Sequence, residues 1–380
     1  MMRPMKLAGS ELLFGRGTLA HLETLKARKI VIVLGDDIVY KNGVMDIVTQ
    51  HLNHANIPFD VFMGVEPDPG LKTVLKGAKF MLEKEPDFIL AIGGGSTMDA
   101  AKAMWIFYEH PHLTRLDQLT NKETFPKLRT KAHFGCVPTT AGTASEVSRS
   151  IVITDDVTGY KYGIGNMEMM PDLAICDPVT TLSMPRSITA QSGFDALSHV
   201  LESVVSNRAN YLTDVLAYAS IKDIFEVLPK VYNDLNNLEL REEMLTLAMV
   251  AGLSFTNASL GLVHAISHSL GGLFKIPHGS CNSILLPHVI RFNQANPEAK
   301  AKYEKIEQTL GRDLITALNE LSDTIGMPKG LKDLVSLERL NEKMEELIDL
   351  SLKDGSLKTN PIQPTRNQVR AVVLSAYEGR

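Results

Sequence analysis

A short apolar stretch of the chain, HAISHSLGGLFKIPHG, contains three histidines. His264 and His268 are four residues apart, so on a helix they lie on one face, about one turn from each other. The glycine pair at 271–272 breaks this helical pattern, and Pro277 disfavours continued helix just before His278. The third imidazole is therefore expected to arrive from a bend. Histidines in such a stretch are either hydrogen-bonded core residues or ligands that share one site.

A second stretch, GFDALSHVLE, places Asp195 and His199 on one helical face. Burying a carboxylate and an imidazole there is costly unless they pair with each other or bind a cation. With His264 and His278 they could form one site of one oxygen and three nitrogen ligands. That ligand set suits Zn²⁺ or Fe²⁺, and it offers no sulfur to a softer ion.

The other paired histidines have a different setting. His51 and His54 lie at a polar helix end, and His110 and His112 lie in the surface-loop sequence YEHPHLTR. We therefore leave these four residues outside the predicted metal site.

A glycine-rich turn, in FILAIGGGSTMDAAKAM, follows a predicted buried strand and opens a helix. At Gly94, Gly95 and Ser96 the backbone could approach a pyrophosphate closely, and the amides of the helix start would face it. The fingerprints GxGxxG and GxxxxGK[ST] are both absent. The turn thus indicates a dinucleotide site, and a turn that serves only backbone geometry is the alternative.

Polar residues at two other predicted strand ends extend this hypothesis. Asp36 in VLGDD could hydrogen-bond the ribose hydroxyls and repel a 2′-phosphate, which favours NAD over NADP. A helix cap or a turn is the simpler role for such an aspartate. In VPTTAGTASEVS, Thr139 and Thr140 follow a strand and could orient an amide or a phosphate.

Two structural regimes must position these groups. Up to about residue 185, short β-branched runs such as KIVIVLG and FDVFMG alternate with amphipathic stretches, which predicts a parallel sheet with crossover helices. Later runs, HFGCVPTT, SRSIVITD and LAICDP, continue the sheet and could add an antiparallel portion. Beyond Pro185 helical periodicity dominates. The sequence predicts an α/β domain at 1–185 and an all-helical domain at 186–380.

Composition excludes several classes of protein. The 380 residues include 44 acidic and 39 basic side chains, so nucleic acid is not an expected partner. No apolar run approaches the roughly 20 residues that cross a bilayer, and the N-terminus lacks a signal-peptide core, so we expect a cytoplasmic protein without membrane contact. Three widely spaced cysteines suggest neither a disulfide framework nor a thiolate metal site.

Four of these motifs together carry a resemblance. GGGSTMDAAK, PTTAGTASEVS, GFDALSHVLE and GLVHAISHSLGGLFKIPHG resemble, in order and spacing, the motifs of the iron-containing (group III) alcohol dehydrogenases, and the likeness runs from LLFGRG to the NP at 360–361. The resemblance implies an NAD(P)-binding α/β domain followed by an all-helical metal-binding domain, an architecture like that of dehydroquinate synthase. It also implies a homodimer or a higher homo-oligomer.

The resemblance further implies residue roles. Asp195, His199, His264 and His278 fall on the metal-ligand positions, and Phe255 falls on a wall of the substrate pocket. The cofactor-contacting positions correspond to Gly94, Gly95, Ser96, Asp99, Thr139, Thr140 and Lys161.

His268 falls beside the metal as a non-ligand, and we interpret it as a proton relay, with a substrate-orienting role as the alternative. Two departures from the family pattern concern the cofactor pocket. Ala144 replaces a common glycine, and Asp68 stands where asparagine is frequent.

The predicted activity is metal-dependent hydride transfer, with Fe²⁺ or Zn²⁺, between NAD and a short primary alcohol or its aldehyde, such as ethanol, butanol or a propanediol. NADP is the alternative cofactor. A polyol dehydrogenase like glycerol dehydrogenase is the nearest alternative. A lyase like dehydroquinate synthase is disfavoured, because the segments GFDALSHVLE and GLVHAISHSLGG offer no Lys or Arg for a sugar phosphate. A non-catalytic protein with a structural metal is the third alternative.

Overall fold

The computed structural model describes residues 5–121, 123–157 and 159–379. They divide into two compact units. The first unit extends to Met184 and also includes Asn236–Met249. The second contains Pro185–Leu235 and continues from Val250.

The first unit contains a parallel six-stranded sheet in the order β1-β8-β5-β4-β2-β3 and a separate antiparallel hairpin, β6-β7. The strands are β1 Glu11–Phe14, β2 Ile30–Leu34, β3 Phe59–Met63, β4 Phe88–Gly93, β5 His133–Pro138, β6 Ser150–Thr154, β7 Lys161–Gly165 and β8 Leu173–Cys176. The predicted continuation of the sheet and its antiparallel addition are both present. Sequence patterning did not predict the edge strand β1.

Helices cover both faces of the sheet. They are α1 Ile38–Lys41, α2 Val44–His54, α3 Leu71–Lys84 and α4 Gly95–Glu109. Along β2, Val31 and Val33 face one core with α3 and α4, whereas Ile30 and Ile32 face the other with α2. A strand buried on both faces must be apolar throughout, which explains the uninterrupted run of β2.

The strand order places a topological switch between β2 and β4. The chain leaves β2 for β3 on one side and then returns to β4 on the other. In doubly wound sheets, ligands bind outside the carboxyl ends of the strands at such a point. This edge is therefore the expected ligand site of the first unit.

Among the described residues from 185 onward there are helices and no strands, as predicted. They are α5 Arg186–Val205, α6 Tyr211–Asn233, α7 Leu238–Ala258, α8 Leu262–Phe274, α9 His278–Asn293, α10 Pro297–Leu310, α11 Leu314–Thr324, α12 Leu337–Lys353 and α13 Arg366–Glu378. In the part of the chain that the structure covers, no single helix is long and apolar enough to span a membrane, and α7 with α8 passes the same length and composition test only as a bent pair.

One local prediction was wrong. The glycine pair at 271–272 does not end α8, which continues to Phe274 and stops where Lys275 adopts a left-handed φ of 59°. Gly271 is buried, so packing of its helix outweighs the low helix propensity of glycine. Pro277 then precedes the first residue of α9, His278. The third imidazole does follow a bend.

Candidate functional site

The glycine turn lies at the carboxyl edge of the sheet, at the switch point. Gly94 precedes α4 in extended conformation, and no side chain caps that helix. The first amides of α4 therefore keep the partial positive charge that attracts a phosphate. Asp36, two residues beyond β2, lies at the same edge, and its Oδ1 accepts a 3.0 Å hydrogen bond from the amide of Ile38.

The threonine loop after β5 packs against the glycine turn. A Cβ on Gly94 would approach the Thr140 methyl group to 3.3 Å, and one on Gly95 would lie 2.7 Å from that of Thr143. The amide of Thr139 donates to the carbonyl of Gly93 at 2.9 Å. The buried Oγ1 of Thr140 has no hydrogen-bond partner among the described residues. Such a hydroxyl is suited to hydrogen-bond a polar ligand, because a buried polar group without a partner costs folding free energy.

Lys161, the first residue of β7, is connected to the glycine turn by Asp68. Its Nζ is 2.7 Å from Asp68 Oδ1, and the Asp68 amide donates to Ser96 Oγ at 3.4 Å.

The two residues that depart from the family pattern both have a left-handed backbone conformation. Asp68 has φ 54° and Ala144 has φ 51°. Asparagine and glycine tolerate this left-handed region better than most residues, so the family preferences at both positions follow from backbone geometry.

Asp99 is partly buried and forms its hydrogen bonds within the protein. Its carboxylate accepts from Ser145 Oγ at 2.6 Å and from the Val152 amide at 2.9 Å. Burial raises the pKa of Asp99. Fully buried Lys102 donates to the Ser145 carbonyl at 2.7 Å and to that of Ser148 at 2.9 Å. Asp99 and Lys102 thus anchor the segment that follows the threonine loop.

The second unit brings together the aspartate and the three histidines that the sequence singled out. The Nε2 atoms of His199, His264 and His278 lie 3.5, 3.6 and 3.4 Å from one oxygen, Oδ1 of Asp195. Asp195 and His199 lie on α5, His264 lies on α8, and His278 begins α9. A tetrahedral ion with bonds of about 2.0 to 2.1 Å holds its ligands roughly 3.3 Å apart, so each histidine Nε2 is about as far from Asp195 Oδ1 as two ligands of one metal ion are.

Electrostatics favour a cation at this cluster. Burial raises the pKa of Asp195, but the neighbouring imidazoles of His199, His264 and His278 lower it more, so the carboxyl is held well below its usual range. The Nε2 atom of His264 is buried and forms no hydrogen bond within the described residues. An ionised carboxylate beside an unsatisfied imidazole nitrogen fits a divalent ion.

Glu202 orients His264, and sequence reasoning did not identify it. One Glu202 oxygen lies 2.6 Å from His264 Nδ1 and accepts from the Gly261 amide at 3.0 Å, while the other accepts from the Val263 amide at 2.7 Å. Burial lowers the pKa of His264, but Asp195 and Glu202 raise it more, to about 9. With Nδ1 held by Glu202, Nε2 is the nitrogen that faces the cluster, where it could replace its proton with a metal ion. Glu202 lies one turn after His199 on α5, and that spacing could have revealed it.

Two further polar residues support the cluster and were also missed. The Nδ2 of Asn282 donates to Asp195 Oδ1 at 2.9 Å, and the Ser267 hydroxyl donates a 2.6 Å hydrogen bond to the Asn282 side chain.

His268 lies outside the four candidate ligands. Its Nδ1 is 2.8 Å from Asp354 Oδ2, and its ring stacks on that of His278. Asp354 is 86 residues from His268 in the chain, so no local pattern could have paired them.

Phe255 contacts the cluster through His199. Its ring stacks on that of His199, with centroids 4.2 Å apart, and its side chain is buried. It therefore forms an apolar wall beside a metal-ligand candidate.

A doubly wound sheet with a glycine turn at its switch point, in a chain whose helical unit groups three histidines and an aspartate, is typical of metal-dependent enzymes that use a dinucleotide. Comparison with known proteins specifies that class. Residues 9–178 match the model of iron-containing alcohol dehydrogenases, and residues 189–377 match that of the C-terminal region of the same family. The chain belongs to the iron-containing alcohol dehydrogenase family.

Relatives and solved structures agree. The chain is 38% identical over 378 residues to the NADPH-dependent butanol dehydrogenase of Clostridium saccharobutylicum, covering 97% of each chain. It is 35% identical to the 1,3-propanediol dehydrogenase of Klebsiella pneumoniae, covering 89% of this chain and 88% of that one. The structure of an iron-containing alcohol dehydrogenase from Thermococcus thioreducens superposes with a TM-score of 0.92 at 30% sequence identity, covering 99% of this chain and 100% of that one. The predicted family, fold class and enzyme class, an NAD(P)-dependent alcohol dehydrogenase, are confirmed.

Proposed function

We propose that this protein interconverts a short primary alcohol and its aldehyde, with hydride transfer to or from NAD(P), at a metal held by Asp195, His199, His264 and His278. The observation that carries the proposal is the convergence of three imidazole Nε2 atoms on one Asp195 oxygen at 3.4 to 3.6 Å. A bound Fe²⁺ or Zn²⁺ would act as a Lewis acid that lowers the pKa of the substrate hydroxyl or polarises the aldehyde carbonyl.

His268 is proposed to move the proton. Its Nδ1 lies 2.8 Å from Asp354, which fixes the tautomer in which Nδ1 carries a proton and leaves Nε2 to exchange one. Burial raises the pKa of Asp354, but His268 lowers it more, so the carboxylate stays ionised and stabilises a positive charge on the ring. His268 is one-fifth exposed, so it can pass the proton to water.

The substrate class follows from the wall beside the cluster. Phe255 presents an apolar ring to His199 and no charged group. An apolar wall favours a short aliphatic chain over a phosphorylated or carboxylated substrate, and two relatives are named for butanol and 1,3-propanediol.

Oxidation of NADH and NADPH by a panel of short aldehydes tests this function. Chelator-stripped protein is given Fe²⁺ or Zn²⁺ anaerobically, with Mg²⁺ as the control ion and glycerol with NAD as the polyol test. We expect turnover that requires Fe²⁺ or Zn²⁺, because the N/O ligand set disfavours Mg²⁺. Absence of turnover with every aldehyde would contradict the proposal, and efficient turnover of glycerol alone would replace it with the polyol alternative.

Asp36 is proposed to read the adenosine ribose and to favour NAD over NADP. Replacing Asp36 with glycine removes a carboxylate that would repel a 2′-phosphate, so we expect the ratio of kcat/KM for NADPH to that for NADH to rise by about tenfold or more. The neighbouring Asp37→Gly variant is the matched control, because the Asp37 side chain pairs with Lys41 and is not assigned to the cofactor. An unchanged ratio in Asp36→Gly would remove the proposed role.

Glu202 is proposed as a positioning residue for the metal site. In Glu202→Gln the new NH₂ group faces either a backbone amide or His264 Nδ1, both of which are donors, so one of these hydrogen bonds is lost and His264 is no longer held in place. We expect metal affinity to fall by about 10 to 100-fold. Competition with a chelator measures that affinity without relying on activity. Glu226→Gln, at an exposed site on α6, is the control. Equal affinities in the two variants would show that Glu202 has no such role.

We also propose a cytoplasmic homodimer. Buried free thiols at Cys136 and Cys176 fit a reducing compartment. The edge strand β1 pairs only with β8 among the described strands, and the Phe14 side chain at its end is 57% exposed. An exposed edge with an apolar side chain suits pairing with a second copy. Light scattering of the purified protein measures this assembly.

A further inference from the structure

Glu23, His51 and His54 in the first unit form a second group of ligating side chains, which we call the η-α2 cluster. Glu23 lies near the end of the 3-10 helix Thr18–Thr24, and the two histidines lie in the last turn of α2. One glutamate oxygen, Oε1, is 2.7 Å from His51 Nδ1 and 3.1 Å from His54 Nδ1. One ligand atom from each residue lies within 4.8 Å of the others.

The backbone beneath the η-α2 cluster is fixed by packing. Leu22, beside Glu23, and Leu52, beside His51, are completely buried in the same core. His51 and His54 are three residues apart, so their side chains project from one face of α2. The three donors are therefore brought together before any ligand arrives, which lowers the entropic cost of binding.

The surroundings of the η-α2 cluster favour a cation. The pocket beside His54 is lined by Asp46, Thr49, Gln50 and Asn53 and by no lysine or arginine. Glu23 is 40% and His54 59% exposed, so water can complete the coordination of an ion. Two nitrogens and a carboxylate oxygen suit late first-row divalent ions, Zn²⁺ among them, better than Mg²⁺ or Ca²⁺.

We propose that the η-α2 cluster is a second divalent metal site, separate from the Asp195 site, and that Zn²⁺ bound there clips the 3-10 helix Thr18–Thr24 to α2. The two Nδ1 atoms and Glu23 Oε1 are the protein ligands, and when the ion replaces the hydrogen bonds to Glu23 each imidazole binds through Nδ1 as the neutral tautomer whose proton is on Nε2. Zinc binding stabilises the first unit, because the ion joins two elements of the folded protein that separate on unfolding.

Calorimetric titration of Zn²⁺ into protein whose Asp195 site is already filled with Zn²⁺ tests the proposal. We expect one further equivalent per chain and a concentration-dependent rise in Tm. In His51→Gln and in His54→Gln this second binding should weaken by at least about tenfold, since each variant removes one of three ligands. His112→Gln removes an exposed histidine outside the cluster and should bind as the parent protein does.

Two results would overturn the proposal. One is the absence of a second equivalent in the parent protein, and the other is equal zinc binding in the parent and both cluster variants, which would show adventitious binding elsewhere. Alcohol dehydrogenase activity is expected to be unchanged in both cluster variants, because neither histidine belongs to the Asp195 site.

Discussion

His264→Ala is expected to leave the protein without stoichiometric metal while its helical content stays near that of the parent. The substitution removes Nε2, one of the four donor atoms of the Asp195 site, and it leaves Glu202 without its imidazole partner. We expect iron content to fall from about one per chain to near none, because a site that loses one of its four ligands loses most of its affinity. Elemental analysis after anaerobic loading with Fe²⁺ and dialysis measures this, and circular dichroism reports the helices.

Iron is the right probe because the η-α2 cluster, with two nitrogen ligands and one oxygen, should hold Zn²⁺ more tightly than Fe²⁺. Asp195→Ala, His199→Ala and His278→Ala should lose iron as His264→Ala does. His112→Ala, at an exposed position, should keep it. Stoichiometric iron retained in His264→Ala would show that this histidine is not a ligand.

Lys102→Met is expected to destabilise the protein by about 3 to 5 kcal/mol, the usual cost of removing one partner from a buried charged network. Lys102 is fully buried, and its Nζ donates to the carbonyls of Ser145 and Ser148, which methionine cannot do. The change also leaves the partly buried Asp99 carboxyl without a nearby cation. Urea unfolding measures the free energy of unfolding.

The matched control for this prediction is Lys79→Met on α3. Lys79 is exposed, so its replacement should change stability by no more than about 0.5 kcal/mol. Adding Asp99→Asn to Lys102→Met should restore part of the loss, because the uncompensated carboxyl is then gone. A Lys102→Met protein as stable as the Lys79→Met control would show that the buried lysine does not hold the loop.

Local sequence determined much of the first unit. The apolar runs of β2 and β4 predicted strands covered on both faces, and the glycines after β4 predicted the turn that precedes α4. Those features depend on residues close together in the chain, where side-chain period and backbone freedom act directly. The four motifs also sufficed to identify the family.

In the helical unit the sequence determined the metal-ligand candidates, because a spacing of four residues places Asp195 and His199 on one face of α5. Their partners were decided by tertiary packing. Glu202 meets His264 across 62 residues, and Asn282 meets Asp195 across 87. Such distant contacts depend on how whole helices pack against each other. No local sequence pattern predicts which polar side chains will meet.

Packing also decided features that local propensity predicted wrongly or gave no sign of. Helix α8 continues through its glycine pair because Gly271 is buried, and β1 forms because β8 offers it an edge to pair with. His51 and His54, set aside as a polar helix end, meet Glu23 only because the 3-10 helix Thr18–Thr24 packs on α2. The sequence determined the elements and the candidate ligands, whereas tertiary structure decided their partners, because burial makes a distant hydrogen bond or ion pair obligatory.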